Sequence, residues 1–215
     1  MSVKTRDNAR RVLVLGSSSS YRRALLERLG IPFDVSAPQI DERVLASETL
    51  ATAALRLAEA KARAVAASYS NALVIGCDQI ASCAGAPIGK PGTRESAIAQ
   101  LTRMSGQMVV FHTGVALVDA ATGRSSGRLV DVTSTFRRLT REEIVAYVDR
   151  DQPFDCAGAV RSEALGIALF ERIASDDPTA LIGLPLIALT DLLRAEGIDV
   201  LLGDSGFAAR RDTKP

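Results

Sequence analysis

The segment Gly16-Ser17-Ser18-Ser19-Ser20-Tyr21-Arg22-Arg23 brings hydroxyls, backbone N–H groups and two guanidinium groups together in a short stretch. Each of these favours an anion, phosphate above all if a helix begins there. The same residues would also make a serine-rich N-cap followed by two surface arginines, and the segment leaves both readings open. It lacks the Gly-x4-Gly-Lys-Ser/Thr spacing of a Walker loop. Asp78 follows the apolar run Ala72-Leu73-Val74-Ile75-Gly76. A carboxylate there caps a turn, holds a hard cation or accepts a proton from water. Lys90 stands on a stiff turn between Gly89 and Pro91, and Glu42 stands beside Asp41 in a polar stretch. Individually both are ordinary. Cys77 has no His or Asn that the sequence identifies as its partner, and the serines lack a Gly-x-Ser-x-Gly elbow. The single His112, between Phe111 and Thr113 on a strand pattern, fits a structural side chain better than a catalyst.

These groups need elements to position them, and the chain alternates strand and helix patterns. Residues 11–15 predict a buried strand running into the serine loop. In the helix that follows, Tyr21, Leu25 and Leu29 share a side, and Gly30 and Pro32 stop it. Residues 33–37 predict a second strand. The longest helix is expected over 49–68, with Leu50, Ala54, Leu57, Ala58 and Val65 on one face and Arg56, Glu59 and Arg63 opposite. Lys61 falls inside the apolar stripe. Either its stem covers core surface and its ammonium reaches water, or the stripe ends at a cleft where Lys61 meets an anion. Residues 72–76 predict the core strand that delivers Asp78 at its C-terminal end, with a continuation over 80–84 left open. A Gly/Pro-rich turn over 85–92, a helix from Thr93 and an antiparallel hairpin of 109–119 with 127–137 come next. Thr140 and Glu143 form a capping-box pattern opening a helix to Asp149, after which 152–158 are irregular but apolar. A strand over 169–173 and a final helix over 185–195 complete the pattern. An α/β fold results, with one domain over 11–202 and flexible termini at 1–10 and 203–215.

Composition excludes several classes. Lys and Arg number 26 against 25 Asp and Glu, a net charge of +1 with no polybasic tail. One His and three unpatterned Cys argue against a zinc site or a disulfide framework and suit a reducing cytoplasm. No apolar stretch suggests a signal peptide or membrane span. Aromatic residues make up 4% with no Trp, too few for a stacking platform on a nucleic-acid polymer. A small-molecule nucleotide fits better.

Taken together, the segments resemble the Maf-like nucleoside triphosphate pyrophosphatase family. The residues that carry the likeness are Gly16-Ser17-Ser18-Ser19-Ser20-Tyr21-Arg22, Asp41-Glu42, Leu57-Ala58 with Lys61-Ala62, Gly76 with Asp78, Gly89-Lys90-Pro91, Ser105-Gly106, Thr113-Gly114, Ala157-Gly158-Ala159 and Gly183-Leu184-Pro185. The likeness implies a mixed twisted sheet flanked by helices, with two lobes around a central cleft, as in inosine-triphosphatase-like folds. It further implies hydrolysis of a nucleoside triphosphate to monophosphate and pyrophosphate with a divalent cation, Mg²⁺ or Mn²⁺, in a homodimer. By position, Asp78 would be the general base, Glu42 its companion near the metal, and Ser17, Ser19, Arg22, Lys61 and Lys90 the phosphate contacts. Gly16 and Ser20 stand where the family pattern has Ala and Pro.

Within the family, Tyr21, Gln79, Cys156-Ala157-Gly158 and Arg161-Ser162-Glu163 resemble the branch that acts on 7-methyl-GTP. The branch acting on dTTP and UTP has Arg, Thr and Gln at the positions of Tyr21, Gln79 and Glu163. A cationic N7-methylguanine stacks well on an aromatic ring, and a carboxylate such as Glu163 accepts from its N1–H and N2–H groups. The alternatives are a dTTP/UTP or broad-specificity pyrophosphatase and a non-catalytic nucleotide-binding regulator.

Overall fold

A computed structural model describes residues 11–202 and Phe207. In chain order the elements are β1 (Val12–Gly16), α1 (Ser20–Glu27), β2 (Asp34–Val35), α2 (Leu50–Ala66), β3 (Ala72–Cys83), β4 (Ala86–Ile88), α3 (Arg94–Met104), β5 (Met108–Asp119), β6 (Ser125–Phe136), α4 (Arg141–Asp151), β7 (Phe170–Ala174) and α5 (Leu186–Ala195). They form one mixed sheet in the order β2-β1-β3-β5-β6-β7, with β4 paired to the free part of β3. β1 runs parallel to β2 and β3, and the remaining pairs are antiparallel. The expected mixed α/β sheet flanked by helices is therefore present.

Two apolar cores back the two ends of this sheet. One joins Leu13, Leu15, Leu25, Leu26, Leu189 and Leu193 between β1 and helices α1 and α5. The other gathers Leu101, Met104, Phe111, Phe136, Val148 and Phe170 under α3 and α4. A crease lies between these two packed ends, which the unbroken strands β3, β5 and β6 join. Across the middle lies α2, whose buried residues include Ala53, Ala54, Leu57, Ala58, Ala62 and Val65. It lies almost in contact with the sheet because Gly76 and Gly114 have no side chains. A Cβ on Gly114 would stand 2.5 Å from the Ala54 carbonyl oxygen.

Differences from the sequence reading have local causes. β3 does not end before Asp78 but continues to Cys83, and only its partner β1 stops, at the Gly16–Gly76 pair. The extension over 80–84 left open in the sequence is thus part of the strand. Asp78 is mid-strand, at the point where the parallel half of the sheet gives way to the crease. Within the expected turn over 85–92 lies a strand, β4. Ala84 at φ 50 and Gly85 at φ 77 make a two-residue turn that pairs Cys83 with Ala86, and positive φ at both central residues matches strand twist. Pro185 is the N-cap of α5. The termini expected at 1–10 and 203–215 lie outside the described residues except for Phe207. That side chain is 4% exposed, packs in the core of the first end, and forms a parallel bridge with Arg11.

Candidate active site

The crease holds a cavity of about 550 Å³ lined by the 17–22 loop, Glu42, Lys61, Asp78, Gln79, Gly89, Lys90 and Asp155, among others. A second chamber of about 100 Å³ shares Tyr21, Arg22, Gln79, Lys90 and Asp155 with it and adds Phe111, Cys156, Glu163 and Gly183. The ten residues given a catalytic, metal, phosphate or specificity role from the sequence all line one or both spaces. Ser17, Glu42, Lys61 and Asp78 line the larger one, Glu163 the smaller, and Ser19, Tyr21, Arg22, Gln79 and Lys90 both.

Lys61 sits where α2 faces β3, and its ammonium does not escape to water. The residue is 6% exposed, and Nζ is 2.6 Å from Asp78 Oδ1 and 3.1 Å from Glu42 Oε1. Of the two readings of the apolar stripe, the cleft is the one observed. The two carboxylates differ sharply: the Asp78 side chain is 9% exposed, that of Glu42 60%. One ammonium therefore joins a buried carboxylate at the cavity floor to a carboxylate on the solvent side. Asp78 Oδ2 has no hydrogen-bond partner among the described residues and belongs to a cavity-lining side chain. It is an acceptor available to water.

The loop carrying Glu42 is anchored from α2. Arg56 pairs with Glu48 through Nη2 at 2.5 Å and also donates to the Arg43 carbonyl at 2.9 Å. Hydrogen bonds from Arg56, then from the Leu45 backbone, hold the Glu48 carboxyl at about 2, well below the usual carboxylate range. Asp41, read beside Glu42 as a possible pair, turns outward to Arg43 at 2.6 Å.

The serine loop answers both readings. Ser19 is the N-cap of α1, its Oγ accepting from Arg22 N, and Ser17 Oγ accepts from Ser19 N at 3.2 Å and Arg22 Nη1 at 3.4 Å. The hydroxyls shape the loop and line the cavity at once. Of the two arginines, Arg23 turns away to Glu27, whereas Arg22 donates through Nε to the Gly183 carbonyl at 2.9 Å. That leaves a guanidinium edge on the cavity wall. Opposite, the turn bearing Lys90 is stitched to the 154–158 segment by Gly92 N to Phe154 O at 3.0 Å and Gly158 N to Gly89 O at 3.3 Å. Cations from α1, α2 and the turn after β4 thus border one cavity.

The smaller chamber is lined by the Tyr21 and Phe111 rings and by charges of both signs, Asp155 and Glu163 with Arg22 and Lys90. The Arg161 guanidinium lies 5.7 Å from the Tyr21 ring centroid, and Tyr21 Oη lies 3.5 Å from Asp155 Oδ1. Burial, followed by the Cys156 thiol and the nearby Asp155, pushes the Tyr21 hydroxyl up, so it stays protonated. Burial also pushes the Cys156 thiol up to about 12, with Asp155 and Glu163 adding to the rise. Cys77, buried beneath Asp78, is pushed up to about 11 by burial and donates to the Gly183 carbonyl. Neither thiol is a thiolate nucleophile at neutral pH. His112 pairs with Asp131 across β5 and β6 at 2.8 Å and lines neither space, as its structural reading expected. Asp155 and residues 177–182 were not singled out in the sequence, and Thr113 and Gly183 entered only as carriers of the family likeness, with no role. Asp155 sits in an irregular stretch far along the chain, and the turn has no periodic pattern to mark it.

Among the described residues no group of three or more His, Cys, Asp or Glu side chains is placed to hold a metal ion. Glu42 and Asp78 offer two hard oxygen donors on either side of Lys61. That donor set fits a hard cation which takes its other ligands from phosphate oxygens, and does not make a preformed cage. No helix among the described residues is long and apolar enough to cross a membrane.

A mixed sheet creased at a Lys–carboxylate pair, with a serine loop on one lip and a Gly-Lys-Pro turn on the other, defines a class, and sequence comparison agrees. Residues 12–196 match the family model described as Maf-like protein, and the chain belongs to the Maf family. Its relatives include a protein of Polaromonas sp. (strain JS666) named 7-methyl-GTP pyrophosphatase, 54% identical over 196 residues, covering 91% of this chain and 89% of the relative. Proteins of the same name from Aromatoleum aromaticum and Burkholderia orbicola are 54% and 56% identical, over 86% and 85% of this chain and 96% and 89% of theirs.

Proposed function

We propose that the chain is a nucleoside triphosphate pyrophosphatase that hydrolyses 7-methyl-GTP to 7-methyl-GMP and pyrophosphate. The observation that carries the reading is the Glu42–Lys61–Asp78 set, running from the solvent side to the floor of a cavity that is bordered by Arg22 and Lys90 and shares its wall with a chamber lined by Tyr21, Gln79 and Glu163. The names of the relatives support the same substrate.

In this reading the triphosphate lies along the larger cavity, between Arg22 and Lys90, and the base enters the smaller chamber. Asp78 holds a water through its free carboxylate oxygen and takes its proton as the water oxygen attacks the α-phosphorus. The bond from that phosphorus to the bridging oxygen breaks, and pyrophosphate leaves. Lys61 keeps Asp78 in place and, with Arg22 and Lys90, offsets the negative charge that grows on the phosphate oxygens. Ser17 and Ser19, whose backbone N–H groups are used within the loop, offer hydroxyl protons to the same oxygens. A divalent cation, Mg²⁺ or Mn²⁺, held by Glu42 and Asp78 together with the nucleotide, would supply further charge neutralisation. Tyr21 offers its ring to the methylated base, whose positive charge strengthens stacking, and Glu163 accepts from its donor edge. The family resemblance adds a homodimer, which light scattering on the purified protein tests.

Pyrophosphate release measured with 7-methyl-GTP, GTP, dTTP and UTP, with and without Mg²⁺ or Mn²⁺, tests the substrate. The expected outcome is metal-dependent release with the highest kcat/KM for 7-methyl-GTP. Higher values for dTTP or UTP would overturn the substrate, and nucleotide binding with no release in any metal would make the chain a non-catalytic binding protein. Asp78→Asn is expected to abolish release in a protein that still folds.

A further inference from the structure

Gln79 makes its hydrogen bonds with one end of its amide only. Nε2 shares its two protons among three acceptors, the carbonyl oxygens of Ala180 and Leu181 at 2.8 and 3.2 Å and Thr113 Oγ1 at 3.0 Å. Thr113 is fully buried and spends its own hydroxyl proton on the Ala180 carbonyl at 3.1 Å, so toward Gln79 it can only accept. Reversing the amide would set Oε1 against two carbonyl oxygens, which have no proton to give. The orientation is therefore forced. Oε1 has no hydrogen-bond partner among the described residues, on a side chain that lines both the large cavity and the smaller chamber.

What forces it is a turn. Asp177, 2% exposed, accepts from Thr179 N at 3.0 Å and Thr179 Oγ1 at 2.7 Å through one oxygen, and from Ile187 N at 2.7 Å and Ala188 N at 3.3 Å through the other. Thr179 Oγ1 accepts in turn from Leu186 N at 2.8 Å. The start of α5 and the turn before it are thus knotted on one carboxylate. From that turn project the Ala180 and Leu181 carbonyls that hold Gln79, and two residues on, the Gly183 carbonyl that holds Arg22 Nε at 2.9 Å and the Cys77 thiol at 2.9 Å.

We infer that the 177–183 turn is the positioning device for base selection: pinned by Asp177, it holds Gln79 as a hydrogen-bond acceptor toward the base chamber and, through Gly183, ties that setting to Arg22. The inference rests on the 7-methyl-GTP reading and deepens it. Guanine presents two neighbouring donors, N1–H and the N2 amino group, and an acceptor-only Gln79 in the same chamber as the Glu163 carboxylate complements them. Uracil and thymine present a single N–H between two carbonyl oxygens, so an acceptor facing that edge meets repulsion as well as attraction. Asp177 touches no substrate. It is a positioning residue.

The bland account is that Asp177 only caps α5, and substrate preference separates the two. The measurement is the ratio of kcat/KM for 7-methyl-GTP to that for UTP, which does not depend on the fraction of enzyme folded. It is taken for the wild type, Asp177→Asn and Thr113→Val, with melting curves alongside. Asn places an NH₂ against backbone N–H donors and loosens the knot, whereas Thr113→Val leaves the knot intact and removes only the acceptor beside Gln79. The ratio is expected to fall about tenfold in Asp177→Asn, the worth of one oriented hydrogen bond, and to stay near the wild-type value in Thr113→Val, where the Ala180 and Leu181 carbonyls still hold the amide. Asp177→Asn alone should also raise KM for both nucleotides, because it releases Arg22. An unchanged ratio in Asp177→Asn, or an equal fall in Thr113→Val, would overturn the role of the turn, whatever happens to melting. A wild type that prefers UTP would instead overturn the guanine reading. In that case Asp177→Asn is scored on the wild type's own preference, whose retention would overturn the turn's role and whose loss would support it.

Discussion

At the scale of residues, the most constrained side chain is Lys61, because it is buried between two carboxylates of unequal burial. Removing either partner of a buried pair leaves the other charge stranded, and the penalty depends on what else that charge can reach. Lys61→Met leaves Asp78 on the cavity floor with no ammonium, and destabilisation of about 3 kcal/mol is expected. Asp78→Asn leaves Lys61 still 3.1 Å from Glu42 on the solvent side, so its cost should be clearly smaller. Urea denaturation of both variants checks the order, and a larger loss for Asp78→Asn would contradict the geometry. Both should lose turnover. Lys61 was legible in the sequence as an oddity, a cation inside an apolar stripe, but not its partner. Asp78 lies 17 residues away in the chain, and only the packing of α2 on β3 brings them together.

At the scale of elements, that packing depends on two glycines and on the loop before α2. A Cβ on Gly76 would overlap the Ala58 carbonyl oxygen and lie 2.7 Å from the Ala62 nitrogen, both backbone atoms of α2 that cannot swing aside. Gly76→Ala must therefore lift the helix, and with it Lys61. We expect destabilisation of about 3 kcal/mol and a kcat lower by roughly 100-fold from the displaced ammonium, read by denaturation and by initial rates on the folded fraction. The loop that carries Glu42 depends on Glu48 and Arg56. Because the folded-state pKa of Glu48 is lowered from 4.5 to about 2, its contribution is full above the unfolded value and disappears as pH falls through the folded one. The melting-temperature gap between wild type and Glu48→Gln should accordingly be constant above about pH 5.5 and close as pH falls toward 2. A gap that widened on acidification would reverse the sign and refute the pairing. Element types were legible where periodicity was strong, as in α2 and the β5–β6 hairpin. β4 was not, because Ala84 takes a positive φ that its residue type does not advertise.

At the scale of the whole molecule, a net charge of +1 conceals a concentration of both signs at one place. Arg22, Lys61 and Lys90 line the larger cavity with Glu42, Asp78 and Asp155, and Arg22 and Lys90 face Asp155 and Glu163 in the smaller chamber. Composition cannot show such a concentration, since it sums over the chain and the site depends on placement. Stability, by contrast, is assigned to cores set back from the crease, and Phe207 separates the two properties. The sequence around it is polar and weakly patterned, which is why the reading placed it in a flexible terminus. Its ring instead joins the core that holds Leu13, Leu25 and Leu189, behind the strand that feeds the serine loop and away from both cavities. Phe207→Ala removes that ring from a site where the backbone bridge to Arg11 limits collapse. A loss of about 3 kcal/mol is expected, the ordinary cost of a buried Phe. Since Phe207 lines neither cavity, kcat/KM for 7-methyl-GTP at a temperature where the variant is folded should equal that of the wild type. A lower denaturation midpoint with unchanged kcat/KM would place Phe207 in the stability of this lobe alone, whereas a matching fall in kcat/KM would show that the first core and the serine loop are mechanically coupled.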